Sequence, residues 1–143
     1  MPKVKVDLPN NSYVIDIGCD ILADIGQSLS EFKFSKQLLL ITDDNVAPLY
    51  ADTVKESLIQ QGYIVDIFII PAGESSKSFD MAKDIYTTAI KLGLDRKSAI
   101  IALGGGVVGD LAGYIASTYL RGIPFVQVPT SLLAQVDSSV GGK

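Results

Sequence analysis

A glycine-rich turn is the feature of this sequence whose spacing most directly predicts chemistry. Residues Gly104 to Gly109 fit the pattern G-x-G-x-x-G, follow an apolar run typical of a strand and open an apolar helical segment. Glycines there let the backbone approach a pyrophosphate, and the N–H groups of the helix N-terminus favour negative charge. The motif therefore favours phosphate binding, and a tight turn required only for packing is the alternative.

Acidic residues for a ribose are not where the ordinary dinucleotide fingerprint has them. That fingerprint follows the first strand and has an acid about 20 residues later, but residues 126–129 contain none. Asp43, Asp44 and Asn45 instead follow an earlier buried strand, at the edge where ligands bind in open α/β sheets. Taken alone, these acids are better explained as the cap of a helix that begins near Val46.

A second polar turn, from Pro71 to Lys77, also follows a strand and precedes a helix. Glu74 and Lys77, which are three residues apart, could hold ribose hydroxyls and a phosphate. In isolation, a solvated turn is the simpler interpretation of these charges.

Composition excludes several classes of protein. The chain has no histidine and one cysteine, so it cannot supply the His-containing metal sites common in zinc enzymes. Cys19 excludes a disulfide framework, favours a reducing cytoplasm and is predicted to be a small buried residue. The formal net charge of −4 argues against nucleic-acid binding. The N-terminus has no signal-peptide pattern, and the longest apolar stretch is too short to span a membrane.

The N-terminal third begins with two strand patterns and a short helix. Apolar residues at Val4, Val6 and Leu8 alternate with polar ones, which predicts a half-buried strand. Residues Tyr13 to Ile17 form a second strand, so an opening hairpin is predicted. A helix is predicted from Ile21 to Leu29, with Asp20 as its N-cap.

Strands and helices then alternate to the end of the chain. Strands are predicted at residues 37–42, 63–70, 98–103 and 124–128, and helices at 46–58, 79–89 and 107–120. Gly62 and Gly93 end the first two of these helices. We therefore predict one α/β domain, with a Rossmann-like, mostly parallel sheet, helices on both faces and the opening β-hairpin. The helix at 107–120 is apolar nearly all round, which favours cover from a partner or from the rest of a longer chain.

Four motifs together resemble those of 3-dehydroquinate synthases. They are the glycine turn continued to Gly113, the run from Val128 to Lys143, the run from Thr42 to Val46, and Gly73-Glu74 with Lys77. The resemblance spans the whole chain, and the run that ends in Gly-Gly-Lys is long and specific. The glycine turn alone would not separate this family from glycerol dehydrogenases and iron-dependent alcohol dehydrogenases.

The resemblance implies a two-domain, homodimeric enzyme of the shikimate pathway. Family members convert 3-deoxy-D-arabino-heptulosonate 7-phosphate into 3-dehydroquinate and phosphate. NAD transiently oxidises one hydroxyl, phosphate leaves by elimination, the hydride returns, and the ring opens and closes again as a carbocycle. A zinc or cobalt ion polarises the hydroxyl, and its Glu and two His ligands belong to the C-terminal half of the family, which this sequence lacks.

Matching positions carry the family's NAD contacts onto this chain. Asp43 and Asn45 would serve the adenosine side, and the Gly73, Glu74 and Lys77 turn would serve the ribose and neighbouring groups. Asp110 would lie near the nicotinamide. The remaining cofactor contacts would come from the glycine turn and from the later signature, namely Gly105, Gly106, Val107, Val108, Gly109, Thr130, Ser131 and Lys143.

Three residues are assigned to the substrate by the same resemblance. Asp137 and Lys143 would contact it, and Arg121 would reach across a dimer to the partner's substrate phosphate. We thus expect residues 1–143 to be an NAD-binding N-terminal domain that is inactive alone because its metal and substrate domain is missing. The alternatives are a related sugar-phosphate cyclase, such as a 2-deoxy-scyllo-inosose or 2-epi-5-epi-valiolone synthase, and a free-standing nucleotide-binding module.

Overall fold

The computed structural model describes residues 2–140, and the chain opens with a β-hairpin. Strand β1 (Lys3–Val6) pairs antiparallel with β2 (Tyr13–Asp16), which confirms the predicted hairpin. The hairpin forms a separate two-stranded sheet. For this reason the predicted burial is wrong, since Val4 and Leu8 remain exposed.

The main sheet has four parallel strands. They are β3 (Gln37–Asp43), β4 (Ile64–Ile70), β5 (Ile100–Gly104) and β6 (Phe125–Pro129), in the spatial order β4-β3-β5-β6. The central strands β3 and β5 are buried almost throughout. The continuous apolar runs of these strands are what a sheet covered on both faces requires, and the parallel α/β prediction is confirmed.

Four helices cover the two faces of this sheet. They are α1 (Ile25–Leu29), α2 (Asp52–Gln60), α3 (Phe79–Leu92) and α4 (Gly106–Thr118). Because side chains alternate along a strand, Leu38 and Leu40 of β3 pack with α1 and α2, whereas Leu39 and Ile41 pack with α3 and α4. A π-helical turn, Ala47–Ala51, precedes α2. No helix within residues 2–140 is long and apolar enough to cross a membrane.

The predicted C-terminal ends of two helices are confirmed, whereas the predicted N-cap of the first helix is not. Gly62 and Gly93 adopt positive φ after α2 and α3, as predicted. Asp20 does not cap the first helical segment, because its backbone is in the left-handed region and its side chain makes no cap hydrogen bond. A different helix, α3, does have a side-chain cap: Ser78 Oγ accepts a hydrogen bond from Met81 N.

The predicted burial of Cys19 is also wrong. Cys19 is exposed, because it lies in the bend before the first helical segment and outside both core clusters. Phe79 is 83% exposed, because it is the first residue of α3 and projects beyond the core that the later residues of that helix join.

Helix α4 receives most of its cover from within this chain. It contacts β5, β3, β6 and α3, and also the segment that follows β6. Gly113 allows the close contact with β6, because a Cβ at this position would lie 3.2 Å from the Phe125 ring. The expectation of an uncovered apolar helix is therefore only partly correct, and Tyr114 and Leu120 are the large residues that remain exposed in this region.

Candidate functional site

The order of the strands creates a crevice at one edge of the sheet. From β3 the chain moves to β4 on one side, and it then crosses to β5 on the other side of β3. Ligands of open α/β sheets bind outside the carboxyl ends of the strands at such a switch point. Asp43 ends β3 and Gly104 ends β5, so the acidic loop and the glycine turn flank this crevice.

The glycine turn has one residue that packing requires to be glycine and two that packing does not. A Cβ on Gly104 would lie 2.7 Å from Cγ2 of Val108, which is too close for any real contact. A Cβ on Gly105 or Gly106 would make an ordinary van der Waals contact with a serine of the segment that follows β6, at 3.5 Å from Ser131 Oγ or Ser138 Oγ. Packing therefore explains Gly104, whereas no steric overlap requires glycine at Gly105 or Gly106.

The start of α4 supplies hydrogen-bond donors to this space. Gly105 is the N-cap, and Gly109 N donates to Gly105 O at 3.0 Å. By helix geometry, the N–H groups of Gly106, Val107 and Val108 have no acceptor within the helix. The side chain of Val108 is 1% exposed and belongs to the core, so only its backbone faces the site. The arrangement suits an anion.

The loop after β3 combines a carboxylate that closes a turn with exposed polar groups. Asp43 Oδ1 accepts hydrogen bonds from Asn45 N at 3.0 Å and Val46 N at 2.8 Å. Asp43 therefore closes the turn at residues 44–46 with one of its two oxygens, but it is not the predicted helix cap, because the N-cap of the helical segment is Val46 and no side chain caps it. Asn45 is exposed and adjacent to the crevice edge.

The loop after β4 is a compact turn that leaves Glu74 accessible. Gly73 has a φ of +111°, a conformation that L side chains rarely adopt, and a 3-10 turn, Glu74–Ser76, follows it. Ser76 is buried, and its hydroxyl donates to Pro71 O. The Glu74 side chain is 80% exposed. Lys77 ends the loop.

An ion pair joins this loop to α4. Lys77 Nζ lies 2.8 Å from Asp110 Oδ2 and 3.6 Å from Glu74 Oε2. The hydrogen bond to Asp110 raises the pKa of Lys77 above its ordinary value, partial burial opposes the rise, and the negative charges of Asp110 and Glu74 add to it. The structure therefore brings together three residues that the resemblance assigned to the cofactor.

A groove of about 230 Å³ runs beside this ion pair. Lys77 and Asp110 stand at its polar end, and Phe79, Leu111 and Tyr114 from α3 and α4 supply apolar walls. The exposed ring of Phe79 accordingly lines an open groove rather than the core.

The segment after β6 folds back onto the glycine turn. Thr130 N donates to Gly104 O at 3.0 Å, and Ser131 Oγ accepts from Ala134 N at 3.2 Å. A π-helical turn, Ala134–Ser138, follows, and it carries the exposed Asp137. The cavity left between this segment and the glycine turn measures about 10 Å³, which is the space of one water molecule.

One of the predicted residues, Arg121, lies away from the crevice. Arg121 is exposed beyond the far end of α4, roughly 20 Å from the glycine turn by the rise of the helix. Its φ is +69°, next to Leu120 at +48°. Lys143 lies outside the described residues.

Two polar contacts were missed by the sequence analysis. Asp44 Oδ1 accepts a hydrogen bond from Ala72 N at 3.0 Å, which links the loops after β3 and β4. Gln127 Nε2 donates to Ser139 O at 2.9 Å, which holds the last described segment against β6. Both contacts join residues that are distant in sequence, and no local spacing signals them.

The fold and the crevice define the structural class of the chain. A parallel sheet with a glycine-rich strand-to-helix turn at its switch point is a Rossmann-like α/β domain. A model of the N-terminal part of 3-dehydroquinate synthases matches residues 67–143, which is more than half of the chain. The chain belongs to the 3-dehydroquinate synthase family.

Relatives in sequence and structure agree with this membership. A 3-dehydroquinate synthase from Desulforamulus reducens is 57% identical over the whole chain, and the match covers 40% of that relative. A 2-deoxy-scyllo-inosose synthase complexed with carbaglucose-6-phosphate, NAD+ and Co2+ superposes with a TM-score of 0.87 and 28% identity, over 96% of this chain and 37% of the other. A 2-epi-5-epi-valiolone synthase from Streptomyces hygroscopicus, with NAD+ and Zn2+ bound, superposes with a TM-score of 0.79 and 27% identity. That match covers 95% of this chain and 37% of the other. The chain thus spans about two fifths of the curated relatives' length.

Proposed function

We propose that this chain is the NAD-binding N-terminal domain of a 3-dehydroquinate synthase, the enzyme that converts 3-deoxy-D-arabino-heptulosonate 7-phosphate into 3-dehydroquinate and phosphate. The observation that carries the proposal is the glycine turn at the N-terminus of α4, placed at the switch point between β3 and β5. The identity of 57% to a named 3-dehydroquinate synthase supports the choice of reaction.

The residues at the crevice fit a dinucleotide. The first N–H groups of α4 would donate to the oxygens of a pyrophosphate, and no steric overlap explains the glycines at Gly105 and Gly106. The cavity beneath the segment after β6 is too small for a phosphate, so we place the pyrophosphate on the side of the turn that faces Asp43. When bound, NAD would supply the transient oxidation and the returning hydride.

Each loop at the crevice has a part in holding the cofactor. Asp43 and Asn45 would bind the adenosine side, and Glu74 would accept hydrogen bonds from a ribose. The Lys77–Asp110 pair would stand toward the nicotinamide, beside the groove between α3 and α4. The backbone and hydroxyls of Thr130 and Ser131 would complete the site from the other side of the glycine turn, together with Gly73, Val107, Val108 and Gly109.

The substrate would meet residues at two separate places. Asp137, with Lys143, would contact it near the glycine turn. Arg121 stands at the opposite end of α4, which suits a contact with the substrate phosphate of a second protomer in a homodimer. Within residues 2–140 no cluster of His, Cys, Asp or Glu could hold a metal. We therefore assign the zinc or cobalt ligands to the part of the protein that the longer relatives have in addition. Separately, the single cysteine of the sequence favours the cytoplasm as the location of the enzyme.

A related sugar-phosphate cyclase is the competing assignment. The two cyclase structures have the same fold, and one of them contains an analogue of glucose 6-phosphate. Their identities of 28% and 27% are about half that of the 3-dehydroquinate synthase relative. We accordingly favour the heptulosonate phosphate as the substrate and treat glucose 6-phosphate as the alternative to test.

The proposal is tested by NAD titration and by phosphate release. Isothermal titration of this chain should show NAD binding. The chain alone should release no phosphate from the heptulosonate phosphate, because positioning of a substrate against the cofactor is worth about 7–11 kcal/mol of barrier and part of the pocket is absent. Adding the separately expressed remaining part of the Desulforamulus reducens relative, with NAD and zinc or cobalt, should restore some release.

Three outcomes would contradict the proposal in different ways. Full turnover by the chain alone would refute the division into two parts. Turnover of glucose 6-phosphate in place of the heptulosonate phosphate would favour the related cyclases. NAD binding without restored turnover of either substrate, in a mixture shown to associate, would favour the nucleotide-binding module.

A further inference from the structure

Asp44 joins the loops that follow the neighbouring strands β3 and β4. The paired residues of these strands end at Asp43 and Ile70. Beyond them, Asp44 N donates to Ile70 O at 3.1 Å, and Asp44 Oδ1 accepts from Ala72 N at 3.0 Å. The carboxylate therefore continues the link between the strands after the regular backbone pairing has stopped.

The contact falls where it can control the direction of the β4 loop. Pro71 has no N–H, so the amide of Ala72 is the first donor after β4. Gly73 then turns the chain with its positive φ, and Glu74 begins the 3-10 turn. The bond to Asp44 thus fixes the backbone immediately before the turn that presents Glu74.

The rest of the loop is held from the other side. The Ser76 hydroxyl closes the loop on Pro71 O, and Lys77 pairs with Asp110 of α4. The loop is consequently attached to β3 through Asp44 at its start and to α4 through Lys77 at its end. Loss of the first attachment would leave the start of the loop free to move relative to β3.

We propose that Asp44 is a positioning residue for the cofactor site. It sets the separation between the Asp43–Asn45 loop and Glu74, the two groups between which the adenosine side of NAD would be held. This inference rests on the proposed NAD site, and Asp44 itself makes no contact with the cofactor.

The test compares three variants of this chain by calorimetric titration with NAD. Asp44→Ala removes the acceptor and should weaken binding about two- to tenfold, the range expected for the loss of one hydrogen bond. Asp44→Asn keeps an amide oxygen in the same place and should bind as the wild type does. Asp84→Ala removes an exposed carboxylate from the middle of α3 and serves as the charge control.

Amide hydrogen exchange of the same variants separates positioning from general destabilisation. In Asp44→Ala the amide of Ala72 should exchange faster, while amides of the central strand β5 stay protected. Asp44→Asn should show the wild-type pattern. Faster exchange in β5 as well would indicate a purely structural role and overturn the inference.

Binding results can refute the inference without touching the proposed function. If the wild type binds NAD and Asp44→Ala binds it equally well, Asp44 does not position the site. If Asp44→Asn loses as much affinity as Asp44→Ala, the negative charge matters rather than the acceptor, and positioning is again refuted. Absence of NAD binding by the folded wild-type chain would refute the proposed function and this inference together.

Discussion

The ammonium of Lys77 lies 2.8 Å from Asp110 Oδ2, so an ion pair connects the loop after β4 with the N-terminal part of α4. The two residues are 33 positions apart in sequence. Asp110 follows the glycine turn directly, and Lys77 follows Glu74 in the other candidate loop. The pair therefore couples the two segments proposed to hold opposite parts of NAD.

The pH dependence of this pair has a definite sign. The pKa of Lys77 is raised above 10.5 in the folded chain, chiefly by its hydrogen bond to Asp110. Its contribution to stability is therefore complete below about pH 10.5 and is lost as the pH rises through the higher folded pKa. Lys77→Met should lower the free energy of unfolding at pH 7 by at most about 1 kcal/mol, because the pair is partly exposed.

Urea unfolding at pH 7 and at pH 11 measures this effect. The deficit of Lys77→Met relative to the wild type should shrink at the higher pH. Lys83→Met, at an exposed position of α3, controls for the loss of one positive charge. A deficit that is the same at both pH values would show that lost packing, and not the ion pair, causes it.

Two glycines of the turn should respond differently to substitution. Gly104→Ala should destabilise the chain by about 1–3 kcal/mol, because its Cβ would overlap Val108 and force the core to shift. Gly106→Val should weaken NAD binding while the chain still folds, because the added side chain would crowd Ser138 and the first N–H groups of α4, which are proposed to hold the pyrophosphate.

Thermal unfolding and NAD titration of both variants decide this point. Gly106→Ala is the smaller, matched control and should weaken binding less than Gly106→Val does. Wild-type affinity in Gly106→Val would place the pyrophosphate elsewhere. A fall in the unfolding temperature of Gly106→Val equal to that of Gly104→Ala would instead mean that packing requires both glycines.

The alternation of strands and helices was predictable because it depends on local periodicity. The apolar run at Leu38 to Ile41 and the glycines at Gly62 and Gly93 report burial and helix termination without knowledge of the tertiary structure. The spatial order of the strands was not predictable from these patterns. That order is what places the carboxyl ends of β3 and β5 side by side.

Residue types in the site were predictable, but their contacts were not. The Gly-rich turn and the Glu74–Lys77 spacing were recognised from the sequence, whereas the bonds from Asp44 to Ala72 and from Lys77 to Asp110 depend on how separate loops meet. The errors at Asp20 and Cys19 have a similar origin. A residue type indicates what a side chain can do, and its backbone conformation and surroundings determine whether it does so.

Metal binding by this chain should be weak. The sequence has no histidine and one cysteine, and residues 2–140 contain no cluster of potential ligands. Calorimetric titration with zinc after chelator treatment should show no tight one-to-one site. A stoichiometric site, particularly one lost in Cys19→Ser, would contradict the assignment of the metal ligands to the remaining part of the longer relatives.

The substrate role of Lys143 is best tested in an active chimera. In this chimera, residues 1–143 of this chain are followed by the remaining part of the Desulforamulus reducens relative. Lys143→Met should keep NAD binding and lower kcat/KM for the heptulosonate phosphate. A charged hydrogen bond is worth about 1.5–3 kcal/mol, which corresponds to roughly a tenfold to hundredfold loss.

Steady-state phosphate release, with NAD and substrate varied separately, distinguishes the two proposed contacts of Lys143. If the ammonium binds mainly the substrate, kcat/KM for the substrate falls while the KM for NAD stays near that of the wild-type chimera. If it binds mainly the cofactor, the KM for NAD rises. Lys91→Met, at the exposed end of α3, should leave both unchanged. Kinetics of Lys143→Met equal to those of Lys91→Met would show that Lys143 contacts neither ligand.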